Sequence, residues 1–441
     1  MVKWSNCNMP TVAYHTLGCK VNQYDTQAME ELLSSAGFTT VPFPGPADIY
    51  LINTCTVTGT GDKKSLQLAR KLKREHPACT LILCGCLAQL KGEALLSSGA
   101  DLVIGTQYRG CIVSLLNRVL EEKKPLSFVG PLPESMPYEP LHVTDCQEHT
   151  RAVLKIQEGC RNRCSYCIIP SVRGPIRSRP LDDIAAEATR LSAAGFREIV
   201  LTGIHLSSYG KDFTPRLSLP DVLEVLEKTD GILRVRLGSL EPGIATESFA
   251  SSLVRFGKLC PQFHLALQSG SDSVLRRMRR QYLTADYLEA VMRLRRYFPD
   301  AAFTTDVLTG FPGETEEEYR ETREFIRKVG FARIHVFPFS PRPGTPAAGL
   351  PGQLSDTVKQ ARSRELITLG KEVALCWQRQ WTGRETVLLP EEKVDGCWEG
   401  YSPEYLRIRL GPDDECVSGE PVRVRIVSVS PRLIGGVIIN E

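Results

Sequence analysis

Little in this sequence is lopsided. Its 54 basic residues nearly balance 51 acidic ones, leaving a net charge of +3. Overall charge therefore does not announce a nucleic-acid binder, and any such surface has to be a local patch. No apolar run reaches the ~18–20 residues that a membrane helix needs. The opening MVKWSNCNMP lacks the charged and apolar regions of a secretory leader. Together these absences point away from a membrane and towards the reducing cytoplasm. There, 15 cysteines, an odd number in 441 residues, do not make a disulfide scaffold. Clustered cysteines in such a compartment are more often metal ligands or catalytic groups. With 42% hydrophobic residues the chain is long enough for more than one core.

Three stretches differ in pattern. Over residues 10–125 strands alternate with helices. Val12–Leu17, Ile49–Ile52 and Leu81–Leu83 are strand-like, Asp25–Ala36 is an amphipathic helix stopped by Gly37, and Lys63–Glu75 is a basic helix. This is the pattern of an open α/β sheet. Residues 126–145 are Pro-rich and weakly patterned, as a linker is. Over 146–375 the alternation recurs about six times, with strands expected at Val153–Ile156, Ile199–Thr202, Arg234–Leu237, Phe263–Leu267, Phe303–Leu308 and Arg333–Phe337. Six units are too few for a closed eight-stranded barrel and suit a partial one. Over 378–441, alternating strands such as Tyr405–Leu410 and Val422–Val429 between turns predict a small all-β barrel.

The cysteines carry the chemistry. Cys160, Cys164 and Cys167, spaced C-x-x-x-C-x-x-C, follow the first strand of the second stretch. Three thiolates this close can hold three corners of an iron–sulfur cubane. With no fourth cysteine nearby, one iron keeps an open position for a ligand bearing an amine and a carboxylate. A zinc knuckle is the competing reading, although zinc sites favour C-x-x-C pairs and a fourth ligand. Cys19, Cys55 and Cys86 each follow a strand of the first stretch. The carboxyl ends of parallel strands meet at the ligand crevice of an open sheet, so these three could hold a second cluster. Cys84, two residues from Cys86, is a rival ligand, and otherwise the remaining cysteines are expected to be structural.

Other groups fall on the rim that strand ends make. Gly203 ends the second barrel strand, and Asp306 lies on the fifth. Gln268, Ser269 and Ser239 occupy corresponding positions, while Gly310 and Gly313 flank a turn into an acidic helix start at Glu314. Arg407, Arg409, Arg423 and Arg425 alternate with apolar residues in the tail, which puts them on one outer face of the small barrel, either as a phosphate-tracking stripe or as a solvated strand face. Arg173, Arg177 and Arg179, just past the cysteine motif, are placed to attract an anionic substrate, and the runs at Arg276–Arg280 and Arg293–Arg296 are basic helix faces.

Long motifs resemble one family. TLGCKVNQYDT, LINTCTVT and CGCLAQ are similar to the amino-terminal domain of the radical S-adenosylmethionine (radical-SAM) methylthiotransferases. EGCRNRCSYCIIPSVRGPIRSRP, LTGIHLSSYG, HLALQSGSDSVLRRMRR and TTDVLTGFPGETEEEY are similar to their radical-SAM core, and WTGRETVLLP with EGYSPEYLRIRL to a TRAM domain, an RNA-binding β-barrel. The resemblance implies an amino-terminal open α/β domain, a partial (β/α)6 radical-SAM barrel and a TRAM barrel. It implies two [4Fe-4S] clusters, on Cys160, Cys164 and Cys167 and on Cys19, Cys55 and Cys86, and S-adenosylmethionine held near Gly203, Ser239, Gln268 and Asp306. GCKVNQYDT and IHVFPFSPRPGTPA resemble the branch that modifies C2 of N6-threonylcarbamoyladenosine next to the tRNA anticodon. Other branches act on N6-isopentenyladenosine or on a ribosomal-protein aspartate, and a zinc-containing tRNA-binding protein is the non-enzymatic alternative. The implied partner is the tRNA anticodon stem-loop, bound by a cytoplasmic monomer, with electron donor and sulfur source unassigned. The tail PRLIGGVIINE, without a membrane anchor, leads to the expectation of a bacterial-type enzyme.

Overall fold

Parallel strands buried on both faces need continuous apolar runs, and the first region supplies them. The computed structural model describes residues 9–144 and 150–439. The boundary expected between 145 and 146 and the last residues of the tail lie outside these. Strands β1 (Thr11–Thr16), β2 (Thr39–Thr40), β3 (Ile49–Thr54), β4 (Thr80–Gly85), β5 (Leu102–Ile104) and β6 (Leu126–Phe128) form one parallel sheet in the order β2-β1-β3-β4-β5-β6. All six residues of β3 are buried. Helices α1 (Lys20–Ser35), α2 (Gly59–Glu75), α3 (Cys86–Lys91) and α4 (Ile112–Glu122) connect the strands, and an apolar core lies on each face of the sheet. Helix α1 starts five residues earlier than the periodicity predicted, directly after Cys19. The chain turns at Gly18 with φ +113°, a turn that leaves no apolar signal.

The segment expected as a linker is packed. Its first three residues are β6, paired with β5, and Leu141 and Val143 are buried beside α1. Three residues are too few to show a period, and burial of single side chains in an irregular strap leaves no pattern.

Six parallel strands build the second region: β7 (Arg151–Glu158), β9 (Glu198–Gly203), β10 (Arg234–Leu237), β12 (Gln262–Leu265), β13 (Ala302–Thr309) and β14 (Arg333–Pro338). Short β8 (Arg177–Ser178) pairs with β7, and β11 (Ser239–Leu240) pairs with β12. A single bridge, Val235 to Leu259, joins the two halves. The result is an open partial barrel. Helices α5 (Ile169–Arg173), α6 (Leu181–Ala193), α7 (Leu219–Glu227), α8 (Glu247–Leu253), α9 (Asp272–Arg277), α10 (Thr284–Tyr297) and α11 (Glu316–Val329) link the strands, and α12 (Asp356–Arg379) leads out of the barrel. In α11 the Thr315–Glu318 capping box, three glutamates in the first turn and Gly330 in the left-handed conformation fix both ends. Glu314, expected to start that helix, instead is buried before it, accepting from Gly310 N and Arg362.

The tail closes as a barrel of β15 (Glu385–Val394), β16 (Cys397–Tyr401), β17 (Arg407–Arg409), β18 (Val422–Val429) and β19 (Ile434–Ile438), in the order β15-β16-β17-β19-β18. Leu406, Ile408, Leu410, Val424 and Ile426 fill it. It docks on the barrel through Arg234 and Arg236, which donate to the carbonyls of Tyr401, Ser402 and Pro403, and through the Arg151–Glu391 ion pair at 2.6 Å. Among the described residues no helix is long and apolar enough to cross a membrane.

Candidate functional site: two thiol triads on facing modules

Sheet order brings the first triad together. Cys19 follows β1, Cys55 directly follows β3 and Cys86 begins α3 after β4, and these three strands are neighbours. The crossover reverses between β1 and β3, so this is the switch point at which open sheets bind ligands. At Gly85, which directs Cys86 out of β4, φ is +90° and a Cβ would stand 2.2 Å from Asn53 Oδ1. Only glycine fits there. Burial, with Cys19 and Cys55 nearby, pushes the Cys86 thiol up to about 11 although Arg173 pulls it down; Cys55 is raised by burial too. The rival Cys84 points elsewhere. It is fully buried in the apolar core on one face of the sheet, its Sγ 3.7 Å from Ile52 O.

The second triad lies on the loop after β7. Gly159 precedes Cys160 with φ +74°, and a Cβ there would overlap Pro175 O at 1.7 Å. Burial raises the Cys160 and Cys167 thiols, the latter to about 12. Arg280 donates to Cys164 Sγ at 3.2 Å and to both Glu241 oxygens at 2.7 Å, while His205 sits 3.5 Å from Glu241 and 3.2 Å from Asn162.

All thirteen described cysteines are free. Among the described residues no three His, Cys, Asp or Glu side chains converge closely enough to hold one ion. A cubane takes one thiolate on each of three separate irons, the number of free thiols each triad supplies. Each triad also has one guanidinium donating to a sulfur, which stabilises a bound thiolate.

The two modules are locked by buried charge. Arg173, from α5 just beyond Cys167, donates to Cys86 Sγ at 3.2 Å, to Glu158 at 3.0 Å, to Asp25 at 3.1 Å and to Asn22. Asp25 also meets Arg109 and Lys155, and Arg109 reaches Glu139 at 2.8 Å. Burial opposes charge on Asp25 and Glu158, but the surrounding Arg109, Lys155 and Arg173 outweigh it and hold both carboxyls below their usual range. Tyr24 adds bonds to Leu141 O at 2.6 Å and Glu187 at 2.8 Å.

This corrects one sequence expectation. Arg173, Arg177 and Arg179 are buried and satisfied internally, so they do not attract an anionic substrate. Arg280 likewise belongs to the thiol site and not to a basic surface. The signal for the lock was present in NQYD: Asn22 and Asp25 are three apart and so share one face of α1.

The rim residues scatter. Asp306 faces His264 at 3.4 Å inside the barrel, and Gln268, at φ +67°, is tied to it by its N–H to Asp306 O at 2.9 Å. Ser239 is exposed at the start of β11. Gly203 ends β9 with Gln157 filling the space beside it, 2.9 Å from where a Cβ would stand. Ser269 is buried, turned to Thr322 and off the rim. Of the cysteines expected to be structural, Cys111 and Cys376 are exposed, and Cys7 and Cys146 lie outside the described residues. Arg407, Arg409, Arg423 and Arg425 do face outward, but each is ion-paired: the first two share Glu399 and the last two share Glu385.

A family model described as the radical SAM superfamily matches residues 154–326, and one described as the uncharacterized protein family UPF0004 matches 11–105. The threonylcarbamoyladenosine tRNA methylthiotransferase MtaB of Bacillus subtilis is 39% identical, over 95% of this chain and 94% of its own length. The tRNA-2-methylthio-N(6)-dimethylallyladenosine synthase of Syntrophobacter fumaroxidans is 35% identical, over 97% and 95%. The structure of the radical SAM methyltransferase TsrM from Kitasatospora setae, with tryptophan and an S-adenosylmethionine analogue bound, has a TM-score of 0.57 at 14% identity, covering 77% of this chain and 75% of that one. That likeness is one of fold.

Proposed function

The chain belongs to the radical SAM methylthiotransferases, and from that premise we propose that it attaches a methylthio group to C2 of N6-threonylcarbamoyladenosine in tRNA, next to the anticodon. The observation that carries the reading is a pair of free-thiol triads on two modules held face to face by Arg173, in a chain that matches a threonylcarbamoyladenosine enzyme along almost its whole length.

Cys160, Cys164 and Cys167 would hold one [4Fe-4S] cluster, and Cys19, Cys55 and Cys86 a second. With S-adenosylmethionine bound, these groups supply the electron, the radical chemistry that an unactivated aromatic C–H bond demands, and the sulfur and methyl of the product. The rest is work for the protein. The Asp25–Arg109–Lys155–Arg173–Glu158 network fixes the distance between the triads and fills the junction with paired charge, which keeps water out. Arg173 and Arg280 each donate to a ligand sulfur and set the electrostatics of their site. Gly203 at the end of β9 and Gln268 after β12, with Asp306 inside the barrel and Ser239 exposed at the start of β11, would border a nucleoside cofactor. The tail barrel, with Arg407, Arg409, Arg423 and Arg425 outward, is the surface offered to tRNA phosphates. The reading has the enzyme working in the cytoplasm as a monomer, because one chain carries both triads and the barrel.

The test is nucleoside mass analysis of tRNA from a deletion strain, with and without the gene restored. Loss of 2-methylthio from threonylcarbamoyladenosine, regained on complementation, is the expected result. Loss from the isopentenyl nucleoside instead would move the enzyme to the branch of the Syntrophobacter relative, and an unchanged profile would overturn the reading.

A further inference from the structure

The three modules meet around a cavity of about 520 Å³, within the size range of small-molecule pockets, about 300–1,000 Å³. Helix α1 contributes Lys20 and Gln23, β7 contributes Arg151, and the tail barrel contributes Glu391, Tyr401 and Tyr405. The tyrosine rings stack at 4.7 Å, and the Arg151 guanidinium lies 4.5 Å over Tyr401.

Lys20, Arg151 and Arg407 line the cavity with Glu391, Glu392 and Glu399, and one of these charges is without a partner. Arg151 is bound to Glu391 at 2.6 Å, and Arg407 to Glu399 at 2.6 Å. Glu198, buried nearby, is committed to Arg236 at 2.8 Å. Lys20 is exposed to the cavity and, among the described residues, takes part in no ion pair or hydrogen bond. Burial pushes the Tyr405 hydroxyl up, yet Arg151, Lys20 and Arg236 together bring it below the ordinary tyrosine value. An anionic group entering this space meets a cation with a free valence and an aromatic wall.

Its location gives it a use. Lys20 is the residue after Cys19, a member of the first triad. In an adenine ring C2 and C6 flank N1, so whatever hangs from N6 lies within about a ring's width of the reacting carbon. A threonylcarbamoyl group brings a carboxylate to that spot, whereas an isopentenyl group brings only hydrocarbon. We propose that this cavity is the pocket for the N6 substituent of the substrate nucleoside, and that Lys20 is the specificity residue, pairing with the substituent's carboxylate beside Tyr401 and Tyr405. The proposal rests on the tRNA methylthiotransferase reading above. A site that leaves an ammonium without a partner when the carboxylate is missing rejects the analogue that lacks it.

The experiment measures binding of the reconstituted full chain to anticodon stem-loop RNA carrying N6-threonylcarbamoyladenosine or its neutral methyl ester, for the wild type, Lys20→Met and Lys20→Arg. Iron per chain and the cluster spectrum check that each variant is intact, since Lys20 is a surface position of α1. The wild type is expected to prefer the acid over the ester by about ten- to a hundredfold, the range of one charge-assisted hydrogen bond. Lys20→Met should lose that preference, and Lys20→Arg should keep most of it. An acid preference that survives in Lys20→Met, or a wild type that binds acid and ester alike, overturns the proposal. Either result leaves the family reading untouched, because that reading falls only if the tRNA of the deletion strain keeps its methylthio group.

Discussion

Cys160, Cys164 and Cys167 sit on one loop, gathered by a turn at Gly159 and needing little beyond the end of β7 to position them. Cys19, Cys55 and Cys86 come from three strand ends and meet only because β1, β3 and β4 lie side by side. One site is local and the other is made by the fold. The local site borrows Arg280 from its own barrel, whereas the fold-made site borrows Arg173 from the opposite module. The fold-made triad therefore has its guanidinium partner only when both modules are docked, and that dependence ties it to the module that carries the other triad.

The largest effect expected is a clean separation of the two sites. Cys160→Ala should remove one cluster and with it cleavage of S-adenosylmethionine. Cys55→Ala should remove the other, keeping cofactor cleavage and losing methylthio transfer. Each variant should hold about half the wild-type iron, measured per chain beside the yield of 5′-deoxyadenosine. Equal loss of cofactor cleavage in both variants would break the comparison.

Next comes fold dependence. Ile52→Ala empties a fully buried position in β3 and should cost about 2–5 kcal/mol. Spectroscopy of the reconstituted protein should then show loss concentrated in the cluster of the first sheet. Arg173→Lys keeps a charge but cannot serve Cys86, Asn22, Asp25 and Glu158 at once, and a broken buried pair costs about 3–5 kcal/mol. A potentiometric titration should find the midpoint of the Cys86 centre moved and that of the Cys164 centre unmoved.

Acid should act on the docking. The Asp25 and Glu158 carboxyls are depressed in the folded state. Their contribution is therefore complete above the ordinary carboxylate values of about 4 and fades as pH falls towards the folded ones. Thermal stability should be flat from pH 6 to 8 and drop below about pH 4, and Asp25→Asn should flatten that drop. The smallest effect belongs to the tail barrel. Arg425→Ala should weaken tRNA binding a few-fold and lower the salt slope by about one, because Glu385 already shares that charge with Arg423.

Much of this was legible in one dimension. The C-x-x-x-C-x-x-C loop needed only its spacing, the six barrel strands only their apolar runs, and the outward tail arginines only period two. The strand-end rule even brought Cys19, Cys55 and Cys86 under suspicion. Cys84 was a rival at the same strand end, with the turn glycine Gly85 favouring Cys86; the structure adds that Cys84 is buried in the core on one face of the sheet. The arginines after Cys167 were misread because a guanidinium in a sequence looks the same whether it meets water or, as Arg173 does, two buried carboxylates.

Sequence by itself determined the local things: which segments pleat, which coil, and which loop has thiols at cubane spacing. These follow from side-chain periodicity and short-range sterics, which act over a few residues. The tertiary structure alone decided that Arg173 reaches Cys86, that Leu141 and Val143 are packed against α1, and that Lys20 faces Tyr405 across a cavity. Those depend on which surfaces bury against each other, and such long-range packing leaves no period in the chain.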